Sequence, residues 1–276
     1  MPELTNPRAE RVKAVRALAG RPVRERQGKF LAEGPQAVRE AVRHMPRRVR
    51  DLYLSHAAAE RYPEIGASAR AADLEIQLAS AEVLDAMSTD AQGVLAVVDV
   101  WATSLDPVVV RSPSLLAVLA TVRDPGNAGT VIRAADAAGA DAVVMAGQSV
   151  DLFNPKVVRS TAGSLFHLPV VRGTTVAEVV TRLHGVGVTV LAADGAGPHD
   201  LDDLLDAAAA GDVAPGRPDL RAPTAWLFGN EAWGLTPEDR ALADAVVRVP
   251  LRGQAESLNL AAAAAVCLYA SARAQR

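Results

Sequence analysis

Two segments of the chain place polar side chains directly after a predicted apolar strand. The first, residues 123–133, contains an Asp-Pro-Gly-Asn reversal in which Asn127 could cap the next helix. Arg133 follows on that helix, which is otherwise built from Val, Ile and Ala. A guanidinium near a helix N-terminus makes a phosphate site, because it adds a planar fork to the free N–H groups. The second segment, residues 227–235, holds an Asn-Glu pair between two glycines, a pattern that favours ligand contact over stability.

A third polar segment follows the last predicted strand. The strand breaks at Pro250, and an alanine-rich helix begins near Ser257, a residue suited to capping its free N–H groups. Taken alone, this stretch is equally typical of an ordinary terminal helix with a good cap. All three segments lie at the carboxyl ends of predicted strands, where open α/β sheets bind ligands. They are therefore the candidates for a ligand site.

Several common site signatures are missing from the sequence. The G-x-G-x-x-G dinucleotide fingerprint is incomplete, and neither a G-x-x-x-x-G-K-[ST] loop nor a G-x-S-x-G elbow occurs. The five histidines show no metal-ligand spacing. The single cysteine, Cys267, excludes an internal disulfide framework and a cysteine-based zinc cluster. We therefore predict no metal site and no dinucleotide cofactor.

The order of predicted elements divides the chain into two α/β domains. Strands and helices alternate over residues 1–103, a stretch with two prolines at 104–113 is the predicted linker, and the alternation restarts over 114–276. Strands of the second domain are apolar on both faces, which is typical of a parallel sheet covered by helices. Residues 195–223, rich in Gly, Pro and Asp, are predicted to form an acidic surface excursion with a short helix.

The charge distribution is uneven along the chain. Residues 1–50 carry eleven Arg and two Lys against five Glu, which gives 13 − 5 = +8, so the remainder carries −3 − 8 = −11. A basic arm on an acidic body favours contact with nucleic-acid phosphates, and an arginine-rich solvated helix face is the alternative. No segment reaches the roughly 18 apolar residues of a membrane span. We expect a cytoplasmic protein without membrane contact.

The three polar segments together resemble the SpoU, or TrmH-like, branch of the SPOUT RNA 2′-O-ribose methyltransferases. The resemblance covers residues 114–276, and residues 1–103 more weakly resemble the small ribosomal-protein-like RNA-binding α/β module of many members. The motifs stand here as Asn127-x-x-x-x-x-Arg133, as Gly229-Asn230-Glu231-x-x-Gly234-Leu235, and as Val249-Pro250-Leu251-x-Gly253-x-x-x-Ser257-Leu258-Asn259.

This resemblance implies a fold, a cofactor and a set of site residues. The fold is a C-terminal parallel-sheet SPOUT domain with a deep trefoil knot, preceded by a small α/β RNA-binding domain. The cofactor is S-adenosyl-L-methionine, and members form homodimers through helices that include the last one. The implied cofactor contacts are Leu227, Gly229, Val249, Leu251 and Leu258. The implied catalytic positions are Arg133, Asn127, Glu231, Ser257 and Asn259.

The mechanism and the RNA substrate leave alternatives open. Arg133 could clamp a substrate phosphate, or act as a base if that phosphate shuttles the proton, since a free guanidinium stays protonated. Ser257 and Asn259 could instead serve the helix cap and the loop. Trp233 could pack in a core or dimer interface, or stack on a base. Large-subunit ribosomal RNA is the expected substrate. The alternatives are transfer RNA and a catalytically silent RNA-binding assembly factor.

Overall fold

The computed structural model describes residues 3–276 of the chain. The strands, in chain order, are β1 Lys29–Glu33, β2 Val49–Leu54, β3 Ile76–Leu78, β4 Val94–Asp99, β5 Leu115–Ala120, β6 Ala142–Ala146, β7 Val170–Arg172, β8 Thr189–Ala193, β9 His199–Asp200, β10 Thr224–Phe228 and β11 Ala245–Arg248. The α-helices are α1 Glu10–Ala17, α2 Arg21–Gln27, α3 Gly34–His44, α4 His56–Arg61, α5 Pro63–Ala71, α6 Ala81–Met87, α7 Asp106–Val109, α8 Pro125–Ala138, α9 Pro155–Ser160, α10 Val176–His184, α11 Leu201–Ala210, α12 Pro237–Ala241 and α13 Leu260–Ala274.

The first of two compact units runs up to Trp101 and also includes Asp151–His167. Its four-stranded sheet has the order β1-β4-β2-β3, in which β4 pairs antiparallel with both β1 and β2, while β2 and β3 run parallel. Apolar residues of α1 and α6 form one core with the inner face of this sheet. The predicted alternation of strands and helices is confirmed for this part of the chain.

Segment 151–167 belongs to the first unit through buried charges and aromatic rings. Arg24, only 3% exposed, donates to Asp151 Oδ2 at 2.7 Å and to the Ala19 carbonyl oxygen at 2.6 Å. Phe153 lies 4.6 Å from Phe30 between ring centroids. The sequence predicts this segment to belong to the second domain, because its apolar helix follows a strand of the parallel sheet. The predicted boundaries 1–103 and 114–276 stay a prediction.

The second unit comprises Ala102–Val150 and Leu168–Arg276. Its seven-stranded sheet has the order β7-β6-β5-β10-β8-β11-β9, and every pairing in it is parallel. Along the chain, β5 leads to β6 and β7 on one side, whereas β8 and β11 lie on the other side of β10. The carboxyl ends of β5, β10, β8 and β11 are therefore neighbours at the point where the direction of the strand order changes, the usual ligand position in open sheets.

The last helix, α13, packs against α8 and across the strands β5 and β10. The alanines of α13 allow it to approach these elements closely. Trp226 of β10, which is fully buried, donates from its indole nitrogen to Ser271 Oγ at 2.9 Å. Cys267 lies on the same buried face, where burial raises the pKa of its thiol, so the thiol stays protonated. This packing holds α13 against the sheet and α8.

Segment 195–223 contains more regular secondary structure than its composition indicates. It contains the expected helix, α11, whose Leu201 and Leu204 are buried, together with the short edge strand β9 that pairs with β11. The knotted threading stays a prediction. None of the helices within residues 3–276 combines the length and the apolar character that crossing a membrane requires.

Candidate active site

The three polar segments meet at one cavity of the second unit, with a volume of about 590 Å³. This size lies within the range of small-molecule sites. Residues after β8, β10 and β11 line the cavity, as the sheet order requires. The predicted site residues among its lining are Asn127, Gly229, Glu231, Val249, Leu251, Ser257, Leu258 and Asn259.

The first segment is fixed at the start of α8. Asp124, not Asn127, is the N-cap, and its Oδ1 accepts the Asn127 backbone N–H at 2.7 Å. The cap lies immediately before the first helical residue, here Pro125, whose missing N–H needs no partner. The Asn127 side chain is thereby left to make contacts outside its own helix.

The third segment contacts the first through two asparagines. Asn259 is the N-cap of α13, and its Oδ1 accepts the backbone N–H groups of Ala261 at 2.9 Å and Ala262 at 3.3 Å. Its Nδ2 donates to Asn127 Oδ1 at 2.9 Å. The predicted cap at Ser257 is wrong, because α13 begins at Leu260 and Ser257 lies too far upstream. Ser257 is exposed at the cavity and makes no hydrogen bond within the described part of the chain.

Glu231 joins the second segment to the first. Its carboxylate accepts the backbone N–H of Arg123 at 3.3 Å and that of Asp124 at 3.1 Å, and the Asn127 Nδ2 lies 3.4 Å away. A carboxylate oxygen can accept several donors, and an ionised acceptor strengthens each bond. Glu231 therefore positions the turn before α8.

The turn after β10 is tight and rests on Asn230, a residue that sequence reasoning did not place in the site. Asn230 is 5% exposed, donates from Nδ2 to the Thr121 carbonyl oxygen at 2.8 Å, and exchanges two 2.9 Å backbone hydrogen bonds with Gly234. Thr121 has φ +57°, which is uncommon for a non-glycine residue. A Cβ on Gly229 would lie 2.2 Å from the Gly234 carbonyl carbon, so only glycine fits there. The available signal was the Asn-Glu pair between two glycines directly after a buried strand.

Charges on the cavity lining are all acidic. Asp194, Glu231 and Glu256 line it, and no Lys or Arg is among its lining residues in the described chain. Asp194 and Glu256 were not predicted as site residues. Asp194 follows β8 directly, a position that the sheet order would have indicated. The cavity therefore suits a ligand that carries positive charge.

Two predicted site residues lie apart from this lining. Leu227 is fully buried in the core of the second unit, so its side chain faces away from the cavity. Arg133 is exposed on α8 and makes no hydrogen bond or ion pair within residues 3–276. An exposed guanidinium on the helix that carries Asn127 is available to bind a phosphate from solution.

The first unit contains a side-chain cluster that the histidine spacing did not indicate. Glu40 Oε2 lies 3.3 Å from His167 Nε2 and 3.4 Å from His44 Nε2, a set that could hold a metal ion. Arg39 donates to the other oxygen of Glu40 at 2.7 Å, and Arg43 lies 3.8 Å from it. These cations oppose the binding of a further positive ion.

Family models match both parts of the chain. The model described as the SpoU rRNA Methylase family matches residues 114–269, and the model described as RNA 2′-O ribose methyltransferase substrate binding matches residues 31–100. An α/β domain with a cavity at the carboxyl ends of a parallel sheet is thus joined to a substrate-binding module. The chain belongs to the SpoU rRNA methylase family.

Individual relatives agree with this membership. A 23S rRNA guanosine-2′-O-methyltransferase, RlmB of Bordetella pertussis, is 31% identical over 247 residues, which cover 87% of this chain and 95% of that protein. A 23S rRNA (uridine(2479)-2′-O)-methyltransferase of Streptomyces viridochromogenes is 38% identical over 185 residues, 65% of this chain and 60% of that protein. The crystal structure of the SpoU methyltransferase AviRb from Streptomyces viridochromogenes, in complex with the cofactor AdoMet, is 34% identical with a TM-score of 0.78, and the match covers 96% of this chain and 98% of that one.

Proposed function

We propose that this protein transfers the methyl group of S-adenosylmethionine to a ribose 2′-oxygen of large-subunit ribosomal RNA. In this reaction the bond from sulfur to the methyl carbon breaks, the bond from that carbon to the 2′-oxygen forms, the hydroxyl proton passes to water, and S-adenosylhomocysteine is released. The observation that carries the proposal is the meeting of three segments at one cavity, joined by Glu231 and by the contact between Asn127 and Asn259.

The cavity suits the proposed cofactor in the charge of its lining and in its volume. S-adenosylmethionine supplies an electrophilic methyl group on a sulfonium, a cation that the acidic lining attracts. The tight turn at Gly229 brings backbone groups to the cavity wall without a side chain between them. We assign the cofactor to Gly229, Val249, Leu251 and Leu258, and only the backbone of Leu227 could contribute.

The chain's own residues act by alignment and by charge. Glu231 and Asn259 hold Asn127 in place, and Ser257 at the cavity is available to the ribose. Alignment of reacting groups is worth up to about 7–11 kcal/mol. Arg133, exposed on α8 outside the cavity lining, clamps a substrate phosphate through its planar fork, because a guanidinium does not give up its proton at neutral pH.

An Arg133→Lys variant tests the assigned role. Lysine keeps the positive charge and loses the planar fork, so turnover should fall at least tenfold while the dissociation constant for S-adenosylmethionine stays unchanged. Arg111→Lys, at an exposed position after α7 that lies outside both the basic segment 1–50 and the cavity lining, is the matched control. Turnover of R133K within twofold of the wild type would refute the role.

The substrate assignment rests on the relatives and on the first unit. Both curated relatives described above are named for 23S rRNA, and residues 31–100 match a substrate-binding module. With labelled cofactor and unmethylated transcripts, 23S rRNA should accept label, whereas 16S rRNA and transfer RNA should not. Label in transfer RNA alone would overturn the assignment, and no label in any RNA would favour a silent RNA-binding factor.

We also propose a knotted second domain and a cytoplasmic homodimer that forms through α13. This helix exposes Val266 and Tyr269, which are 43% and 50% accessible and border a second cavity of about 560 Å³. Large exposed apolar side chains at one place favour a protein interface. Sedimentation velocity should give a dimer for the wild type and a monomer for Val266→Asp. A monomeric wild type would contradict the proposal.

A further inference from the structure

Trp233 is the exposed tryptophan of the second unit. The chain contains three tryptophans, and Trp226 is fully buried in β10, while Trp101 packs among Phe30, Phe153 and Phe166 of the first unit. Trp233 is 53% exposed and lines the candidate active site. Packing in the core of its own chain is therefore excluded as its role.

Hydrogen bonds within the loop that carries Trp233 support its backbone. Its neighbour Gly234 is paired with Asn230 by two backbone hydrogen bonds, and the Ala232 N–H donates to Asn230 Oδ1 at 2.9 Å. The guanidinium of Arg123 lies 5.3 Å from the centroid of the indole ring, within cation–π range. A ring fixed before binding loses little conformational entropy on contact with a ligand. The indole is thus an exposed aromatic surface beside the cavity, and these contacts position it.

We propose that Trp233 and Arg123 form a nucleobase-binding subsite, on which an unpaired base of the RNA substrate stacks when its ribose, or that of the adjacent nucleotide, occupies the cavity. This inference rests on the proposed methyltransferase function. Proteins that recognise RNA commonly stack splayed-out bases on aromatic side chains and guanidinium planes. The same cavity is lined by Ser257, Asn259 and Trp233, so a nucleotide there has this indole beside it. Phe228, the other aromatic residue of the lining, is buried, so the indole is the exposed aromatic face that this cavity offers to a base.

The kinetic test compares Trp233→Ala and Trp233→Phe with the wild type on unmethylated 23S rRNA transcript. The Ala variant should raise KM for RNA about tenfold, which corresponds to about 1.4 kcal/mol, and should leave the cofactor dissociation constant unchanged. The Phe variant keeps an aromatic face, so its KM for RNA should stay within about threefold of the wild-type value. Val186→Ala removes another exposed apolar side chain, 40% accessible and away from the cavity, and is the matched control. An unchanged KM in W233A would overturn the inference.

A binding measurement that needs no turnover separates this inference from the proposed function. A ten-nucleotide oligouridylate should quench tryptophan fluorescence of the wild type and not of W233F, and an abasic oligonucleotide of equal length should quench neither. Failure of methyl transfer with this quenching intact would reject the proposed function alone. Equal quenching in W233F, or none in the wild type, would overturn the subsite. A change of oligomeric state in W233A by sedimentation velocity would show that Trp233 contacts a second copy instead, and would also overturn it.

Discussion

Asn259 donates a 2.9 Å hydrogen bond to Asn127, and the two side chains join the N-termini of α13 and α8 across 132 residues of sequence. One amide thus has two tasks, since Asn259 also caps α13 through its oxygen. The helix start and the site geometry are coupled at this residue. The roles of structural cap and site residue, which the sequence presents as alternatives, occur together.

Replacing Asn259 by alanine should destabilise the protein by about 1 kcal/mol, the usual effect of losing an N-cap. The Ser257→Ala variant should unfold at the same temperature as the wild type, because Ser257 makes no hydrogen bond within residues 3–276. Thermal unfolding followed by circular dichroism measures both. Equal destabilisation by the two substitutions would show that the assignment of the cap is wrong.

Alanine at Gly229 should remove cofactor binding and lower the unfolding temperature. Its Cβ would lie 2.2 Å from the Gly234 carbonyl carbon and 2.3 Å from the Leu235 nitrogen, so the backbone must shift. In α5 of the first unit, the Gly66→Ala control places its Cβ 3.5 Å from the nearest atom, an ordinary contact, and should leave cofactor binding unchanged. Calorimetric titration with S-adenosylmethionine distinguishes the two. Wild-type affinity in G229A would contradict this account of the turn.

The Glu231→Gln variant should lower kcat by roughly tenfold to a hundredfold, the effect of a misplaced reacting group. Glutamine has a single accepting oxygen, so its amide N–H₂ would face a backbone N–H of Arg123 or Asp124. Glu238→Gln, on the exposed first turn of α12, is the matched control and should keep the wild-type kcat. If E231Q matched the wild type in single-turnover rate, Glu231 would not position the turn.

The contribution of Glu40 to stability should depend on pH. Burial raises the pKa of this carboxyl, but hydrogen bonds from Arg39 and His167 outweigh burial and lower its pKa below the usual value. A lowered folded-state pKa gives stability that is present above the unfolded-state pKa of about 4.3 and is lost as pH falls through the folded value. Glu40→Gln should therefore unfold at a lower temperature than the wild type at pH 7.

This difference in unfolding temperature should shrink as the pH falls below about 4. The exposed Glu60, which has no ion pair among the described residues, supplies the control Glu60→Gln, whose unfolding temperature should follow the wild type throughout. If the unfolding temperature of E40Q lay below that of the wild type by the same amount from pH 7 to pH 3, an ionised carboxylate would be excluded as the cause.

Local sequence patterns predict the strands and the polar segments of this site better than they predict the hydrogen bonds between its residues. The parallel sheet follows from strands such as β5 and β10, which are apolar on both faces, whereas its short edge strand β9 lies in segment 195–223, for which the sequence predicts only a helix. The observed N-caps, Asp124 and Asn259, lie two or three residues from the predicted ones. Neighbouring side chains are equally suitable for capping, and the position of the first helical residue determines which of them is the cap. Segment 151–167 joins the first unit through Asp151 and Phe153, and their partners are more than 120 residues away in sequence. Such long-range pairings leave no local pattern.

The central claim is methyl transfer to a ribose 2′-oxygen, and the most direct measurement is the position of the transferred group. Unmethylated 23S rRNA is incubated with the protein and S-adenosylmethionine carrying a deuterated methyl group, then digested with alkali and analysed by mass spectrometry. We predict one alkali-resistant dinucleotide that carries the deuterated methyl on its ribose, formed at least tenfold more slowly by R133K. Label on a base, or no labelled dinucleotide with the wild-type protein, would contradict the account.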